Sequence, residues 1–280
     1  MSATVALPRS LAEALRALDD DPDATVLAGG TDLMVEVNFG HRRPPSVVGL
    51  RRVEERRGYD VLDDEVVLRA GVTWPEVEND LVDVLPGLAA AARTVGSPQM
   101  RNAGTVGGNI GTASPAGDGL PVLLAADASV VLASRQGERA VPIADFITGV
   151  KRTVLQPGEI ITRVRVPRLT GPQEFLKVGT RNAMVISICC AALLVDRVGR
   201  TVRIGLGSVA PTPVRAPDAE SYIAAEIDWD ALSAPAESVV RFGELVRDAV
   251  RPITDHRGTA AYRSRAVQVI ATRALERSLA

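Results

Sequence analysis

The chain has 280 residues, 46% of them hydrophobic, and its 32 basic residues nearly balance 34 acidic ones. A chain of this length buries roughly three-quarters of its unfolded surface and suits two or three modest domains, while the balanced charge offers no basic face for nucleic acid. The longest uncharged apolar run, Ala183 to Val195, falls short of the ~20 residues a membrane-spanning helix needs, and Met1 to Pro8 lack the pattern of a secretory signal, so a cytoplasmic location is expected.

In chain order, Ser10 is placed to cap an amphipathic helix whose face carries Leu11, Leu15 and Leu18. A short strand, Thr25-Val26-Leu27, then runs into the loop Ala28-Gly29-Gly30-Thr31-Asp32 and the helix-like Leu33 to Val37. Amides at such a helix start favour negative charge. Val66 to Val72 and Ser129 to Leu132 read as strands, and Glu76 to Leu85 as a helix between them. The turn-forming stretch 169–172 marks a boundary. Beyond it come strand patterns over 174–195 and 201–209, the first including Val185-Ile186-Ser187-Ile188 as a buried piece, then helices near 235–250 and 259–278. Strands followed by helices, without strict alternation, predict an α+β architecture divided at 1–57, 58–168 and 169–280.

A second glycine-rich stretch, Gly104-Thr105-Val106-Gly107-Gly108-Asn109-Ile110-Gly111-Thr112-Ala113-Ser114-Pro115-Ala116-Gly117-Asp118, is too poor in bulky residues for a core element. Glycine permits positive φ and close approach, so consecutive N–H groups can converge on an anion, and Thr105, Thr112 and Ser114 add hydroxyls. Two such loops suggest a diphosphate held from both sides. Neither has the spacing of a dinucleotide-binding Rossmann turn or a P-loop. A near match at Gly205 to Ala210 is followed by Pro211 and Pro213, and reads as a strand ending in a turn.

Together the first loop, the phrase Gly96 to Asn109 and the Ala113 to Asp118 continuation resemble the FAD-binding subunit of molybdenum hydroxylases, the xanthine dehydrogenase and carbon monoxide dehydrogenase group. The resemblance continues through Pro157 to Ile161, Phe175-Leu176-Lys177 with Arg181, Gly205 to Arg215, and Asp255 to Arg263, and so spans nearly the whole chain. It implies a two-subdomain FAD-binding fold of the PCMH type, followed by an α+β domain like the C-terminal domain of the carbon monoxide dehydrogenase flavoprotein.

The same resemblance implies which residues touch FAD: Leu27, Ala28, Gly29, Gly30, Thr31, Asp32 and Leu33 from the first loop, then Val95, then Thr105, Val106, Gly107, Gly108, Asn109 and Thr112 from the second, and Asp118, Ile161 and Lys177. Asp118 would accept from a ribose or ribityl hydroxyl, Lys177 would meet the flavin, and Val95 and Ile161 would line it. It further implies substrate oxidation at a molybdenum centre on a large partner subunit, with electrons passing through two [2Fe–2S] clusters of a small subunit to FAD and then to NAD or oxygen.

The residues agree with that division of labour. Only Cys189 and Cys190 are present, and an adjacent pair cannot supply the four thiolates of an iron–sulfur cluster. No nucleophile elbow or metal-ligand cluster is evident, so no side chain is assigned a catalytic role and the cofactor carries the reactivity. Both loops lack histidine and cysteine, which points to non-covalent FAD. His41, among Arg42, Arg43 and prolines, reads as an exposed turn. Two alternatives stand beside this reading: a stand-alone flavoenzyme of the UDP-N-acetylenolpyruvoylglucosamine reductase type, and an interaction module without flavin.

Overall fold

The computed structural model describes residues 4–279; Met1 to Ala3, part of the expectation for the N-terminus, lie outside them. The chain opens with β1 (Thr4–Ala6), α1 (Leu11–Asp20), β2 (Thr25–Leu27), α2 (Leu33–Asn38) and β3 (Ser46–Gly49). Ser10 caps α1 by accepting from the Glu13 amide at 3.2 Å, and Ala14 and Leu18 turn inward from that helix. The three strands form a parallel sheet in the order β1-β3-β2, pairing Leu27 with Gly49. Both β2 and β3 therefore end on the same side, where ligands commonly settle against parallel sheets.

Next come β4 (Tyr59–Val61), β5 (Glu65–Arg69), α3 (Trp74–Asp80), α4 (Pro86–Ala92), α5 (Pro98–Ala103), α6 (Val106–Thr112), α7 (Gly119–Ala125), β6 (Ser129–Ser134), β7 (Gly137–Pro142) and α8 (Ile143–Phe146). A small hairpin of β8 (Ile147–Gly149) and β9 (Arg152–Thr153) precedes the long β10 (Ile160–Pro167). The sheet runs β4-β5-β10-β6-β7, antiparallel at every pairing. The helix expected over Glu76 to Leu85 is split in two. Pro86 starts α4 and forces Leu85 out of helical geometry, to φ −134° and ψ 59°, so α3 ends early.

The last part comprises β11 (Gln173–Val178), β12 (Cys189–Asp196), β13 (Thr201–Gly207), β14 (Val214–Arg215), α9 (Pro217–Glu226), α10 (Ala236–Ala249) and α11 (Ala260–Ser278). These strands pair in that order. Strand β12 explains the long apolar run. Its side chains alternate between two cores: Cys189, Ala191, Leu193 and Val195 pack with the C-terminal helices, while Cys190, Ala192 and Leu194 pack with the helices of the middle region. A strand buried on both faces needs no polar alternation. The Gly205 near match belongs to the same layer, since a Cβ there would lie 1.9 Å from the Pro121 carbonyl oxygen of α7.

One strand boundary moves. Val185 to Ile188 are not the opening of β12, which begins at Cys189. Met184 sits at φ +50°, and the Arg181 guanidinium donates to the carbonyls of Ala183 and Met184. These residues close a loop on itself and remove it from the ladder. Ile186 consequently stands 52% exposed at its tip.

Candidate functional site

Where the three-stranded sheet meets the middle region, a cleft of about 490 Å³ opens. Its wall contains Leu27, Ala28, Gly29, Gly30, Thr31, Asp32 and Leu33 from the first loop, Thr105, Gly107, Gly108, Asn109 and Thr112 from the second, and Val95 and Ile161. Two segments separated by more than sixty positions thus face one another across one space. Val106, Asp118 and Lys177 do not line it.

The first loop is built to receive a ligand. Gly30 takes φ +76°, a region that a side chain with Cβ enters at a cost. Gly29 is pressed so closely on the end of α5 that a Cβ would lie 1.8 Å from the Ala103 carbonyl oxygen. Among the described residues, the N–H groups of Gly29, Gly30, Thr31 and Asp32 donate to no carbonyl or side chain. Unpaired amides in a concave wall are donors awaiting an acceptor. The helix that follows has only 6 residues, so these amides, more than a helix dipole, define the electrostatics.

The second stretch differs from its expectation. It is a short helix, α6, and its first amides are already used. The Val106 N–H donates to Val72 O at 2.9 Å and that of Gly107 to Ala70 O at 3.0 Å, while Gly108 donates to the capping Thr105 Oγ1 at 2.9 Å. Gly107 has no positive φ. Glycine is required there because a Cβ would come within 2.5 Å of Ala70 Cβ and 2.7 Å of Ala70 O. The glycines bring α6 against the end of β5, and what the cleft receives from this stretch is side chains: Thr105, whose hydroxyl proton is free, Thr112, and Asn109. The Oδ1 of Asn109 is buried and accepts no hydrogen bond among the described residues.

Behind the wall lies the pair expected to touch the cofactor directly. Lys177 Nζ donates to Asp118 Oδ2 at 2.6 Å and to the Thr94 carbonyl at 3.2 Å, and Thr94 Oγ1 donates to the same carboxylate oxygen at 3.1 Å. Burial pushes the Asp118 carboxyl up, against the opposing pull of Lys177 and Thr94. The two residues join the start of α7 to β11. Val106 is likewise buried, in the main core.

At the mouth is a network the sequence did not announce. Lys151, at the tip of the β8–β9 hairpin with φ +53°, places its ammonium 2.6 Å from Glu36 Oε1 and 3.1 Å from Asp32 Oδ2. Its own amide is anchored to Ala113 O at 3.0 Å. Hydrogen bonding and attraction to Lys151 hold the Glu36 carboxyl below its usual range. Partial burial would lower the Lys151 pKa, yet its bonds to Glu36 and Asp32 outweigh that and raise it. The hairpin therefore ties the helix after the first loop to the end of the second.

Ser114, expected to add a hydroxyl, also lines the cleft, as do Trp74, Met100, Leu155, Arg56 and Ile186, which were not singled out from the sequence. Trp74 had one available signal, its position directly after Thr73, whose capping box with Glu76 starts α3. Ile186 had none, since an apolar residue in an apolar run reads as core. Cys189 and Cys190 are buried thiols, raised by burial to about 12 for Cys189 and well above the ordinary value for Cys190. Among the described residues no cluster of three or more histidine, cysteine, aspartate or glutamate side chains is placed to hold a metal, and no helix is long and apolar enough to cross a membrane.

Residues 1–169 match the family described as the FAD binding domain in molybdopterin dehydrogenase, and residues 174–278 match the CO dehydrogenase flavoprotein C-terminal domain. The chain is 30% identical over 272 residues to the glyceraldehyde dehydrogenase medium chain of Sulfolobus acidocaldarius, covering 95% of each. It is 30% identical over 283 residues to the xanthine dehydrogenase FAD-binding subunit of Escherichia coli O157:H7, covering 97% of this chain and 94% of that one. Among solved structures it superimposes with a TM-score of 0.88 and 28% identity on carbon monoxide dehydrogenase from Hydrogenophaga pseudoflava lacking the Mo-pyranopterin moiety, over 99% of this chain and 97% of that one.

Proposed function

The chain belongs to the family of FAD-binding subunits of molybdopterin dehydrogenases, and on that premise we propose that it takes electrons from [2Fe–2S] clusters of a small partner subunit and passes them to NAD or oxygen. Substrate is oxidised on a large, molybdenum-binding subunit. The observation that carries this reading is the cleft itself: free amides at Gly29 to Asp32, a positive-φ glycine and an unpartnered Asn109 acceptor fit a ligand that has both phosphates and hydroxyls.

In this reading Gly29, Gly30, Thr31 and Asp32 donate their amides to the diphosphate, Thr105 and Thr112 add hydroxyl donors, and Asn109 pairs with a donor of the ribityl or ribose portion. Val95, Leu155, Ile161 and Ile186 exclude water around the ring. Bound there, FAD supplies the ability to take up electrons singly and release them as a pair. Asp118 and Lys177 act from behind, fixing the joint against which the wall rests. The divisions at 1–57, 58–168 and 169–280 and a cytoplasmic location belong to the same proposal.

Coexpression with the neighbouring reading frames, followed by size exclusion and metal analysis, is expected to yield a complex containing molybdenum, iron and FAD. The chain alone is expected to bind FAD that denaturation and filtration release completely, and to oxidise no hydroxylase substrate. Turnover by the isolated chain would instead establish a stand-alone flavoenzyme.

A further inference from the structure

One charge in the cleft is balanced by no other group among the described residues. Arg56 lines the cleft, is 4% exposed, and its buried Nε has no acceptor. No side-chain hydrogen bond or ion pair engages its guanidinium among the described residues. Burial alone acts on its pKa, lowering it to about 10, so it keeps its proton at neutral pH. The other charged groups of the wall are matched: Lys151 by Asp32 and Glu36, Arg42 by Glu36, and Glu159 by Arg139.

Its position is fixed by both loops. The Arg56 carbonyl accepts from Gly71 N at 2.7 Å. On either side of Gly71, Ala70 O and Val72 O receive the Gly107 and Val106 amides that start the second stretch. From the opposite direction, the turn bearing Arg56 descends from β3, whose Gly49 pairs with Leu27 at the start of the first loop. Arg56 therefore stands where the supports of the two loops meet. A buried, unpaired ion is strongly unfavourable, and a planar guanidinium is suited to oxyanions, which it can engage through two parallel bonds.

We propose that Arg56 is the cation that receives the diphosphate of FAD, an assignment that rests on the FAD reading of the cleft. It makes binding and stability oppose one another: the charge weakens the empty protein and strengthens the loaded one.

The experiment uses full-length apoprotein as wild type, Arg56→Met and Arg56→Lys, each titrated with FAD and with riboflavin, which lacks phosphate. Arg56→Met is expected to weaken FAD binding on the order of 10- to 100-fold and leave riboflavin binding unchanged. Its apoprotein is expected to melt above wild type. Arg56→Lys, which retains the charge but not the two parallel bonds, is expected to bind FAD more weakly than wild type and more tightly than Arg56→Met, and serves as the binding readout should the methionine variant fold poorly. An Arg56→Met protein that binds FAD as tightly as wild type overturns the proposal. So does an equal loss of riboflavin binding, which would put the charge at the ring or ribityl chain, or a lysine variant as weak as methionine. A wild-type apoprotein that binds neither compound overturns the FAD reading itself.

Discussion

Two glycine-rich stretches face the same cleft for unlike reasons. In the first, Gly30 occupies a left-handed backbone region and neighbouring amides are left without partners. In the second, Gly107 is held in ordinary helical geometry against Ala70, and its amide is consumed by the Ala70 carbonyl. One stretch keeps its hydrogen-bonding capacity for a ligand, and the other expends it on joining a helix to a strand. Similar composition therefore conceals a recognition element and a packing element, and the difference lies in where each amide points.

The largest expected effect tests the packing element. Gly107→Val forces bulk to within contact-forbidden distance of Ala70 and should destabilise the apoprotein by about 3 kcal/mol or more, read as a fall in melting temperature before any FAD is added. Unchanged apoprotein stability would mean that Gly107 does not serve packing. Gly30→Val should act the other way round. The left-handed position costs a β-branched residue about 1–2 kcal/mol, and FAD affinity should fall by roughly 10- to 100-fold through lost bonds to a charged group, measured by flavin fluorescence titration.

Smaller effects sharpen the contrast. Ser97 caps α5 through the Met100 amide at 3.3 Å, so Ser97→Ala should cost about 1 kcal/mol of stability with FAD affinity little changed; a loss of affinity matching that of Gly30→Val would move Ser97 into the site. The smallest effect concerns acid. Glu36 has a folded pKa below its unfolded one, so its pairing stabilises the protein above the ordinary carboxylate range, and that contribution fades as pH falls through the lowered value. Protection against hydrogen exchange in 33–38, taken relative to the intrinsic rate at each pH, should fall on acidification below about pH 4 in wild type. In Lys151→Met that acid dependence should disappear, the pair being half exposed and its contribution modest.

Much of this was legible in the sequence because it is local. Ser10 announces its helix, the hydrophobic helices at the end follow their periodicity, and a run as poor in bulk as 104–118 has to approach another backbone closely. What the run approaches is a question of tertiary contact, and Gly107 answers it with Ala70, 37 positions away by residue number. The carboxylates that Lys151 joins and the unmatched state of Arg56 are equally invisible, since a chain lists charges without their partners. Asp118 shows the converse: the carboxylate expected at the flavin is paired with Lys177, a partner 59 positions away that its place in the loop does not reveal. Ile186 was hidden by its company, an exposed position at the open end of an apolar run that is buried only from Ser187 onward.

Strand β12 carries a consequence of another kind. Because its odd and even side chains enter different cores, neither core can melt while the other persists without stripping one face of this strand. Chain cleavage near 171 would leave Leu88, Leu120 and Leu124 of the middle region facing water, and the released C-terminal piece would expose Cys190, Ala192 and Leu194. The matched families divide the chain at this point, yet the physical molecule has no seam there, and thermal unfolding should pass through one cooperative transition in which the flavin-binding half and the C-terminal half are lost together.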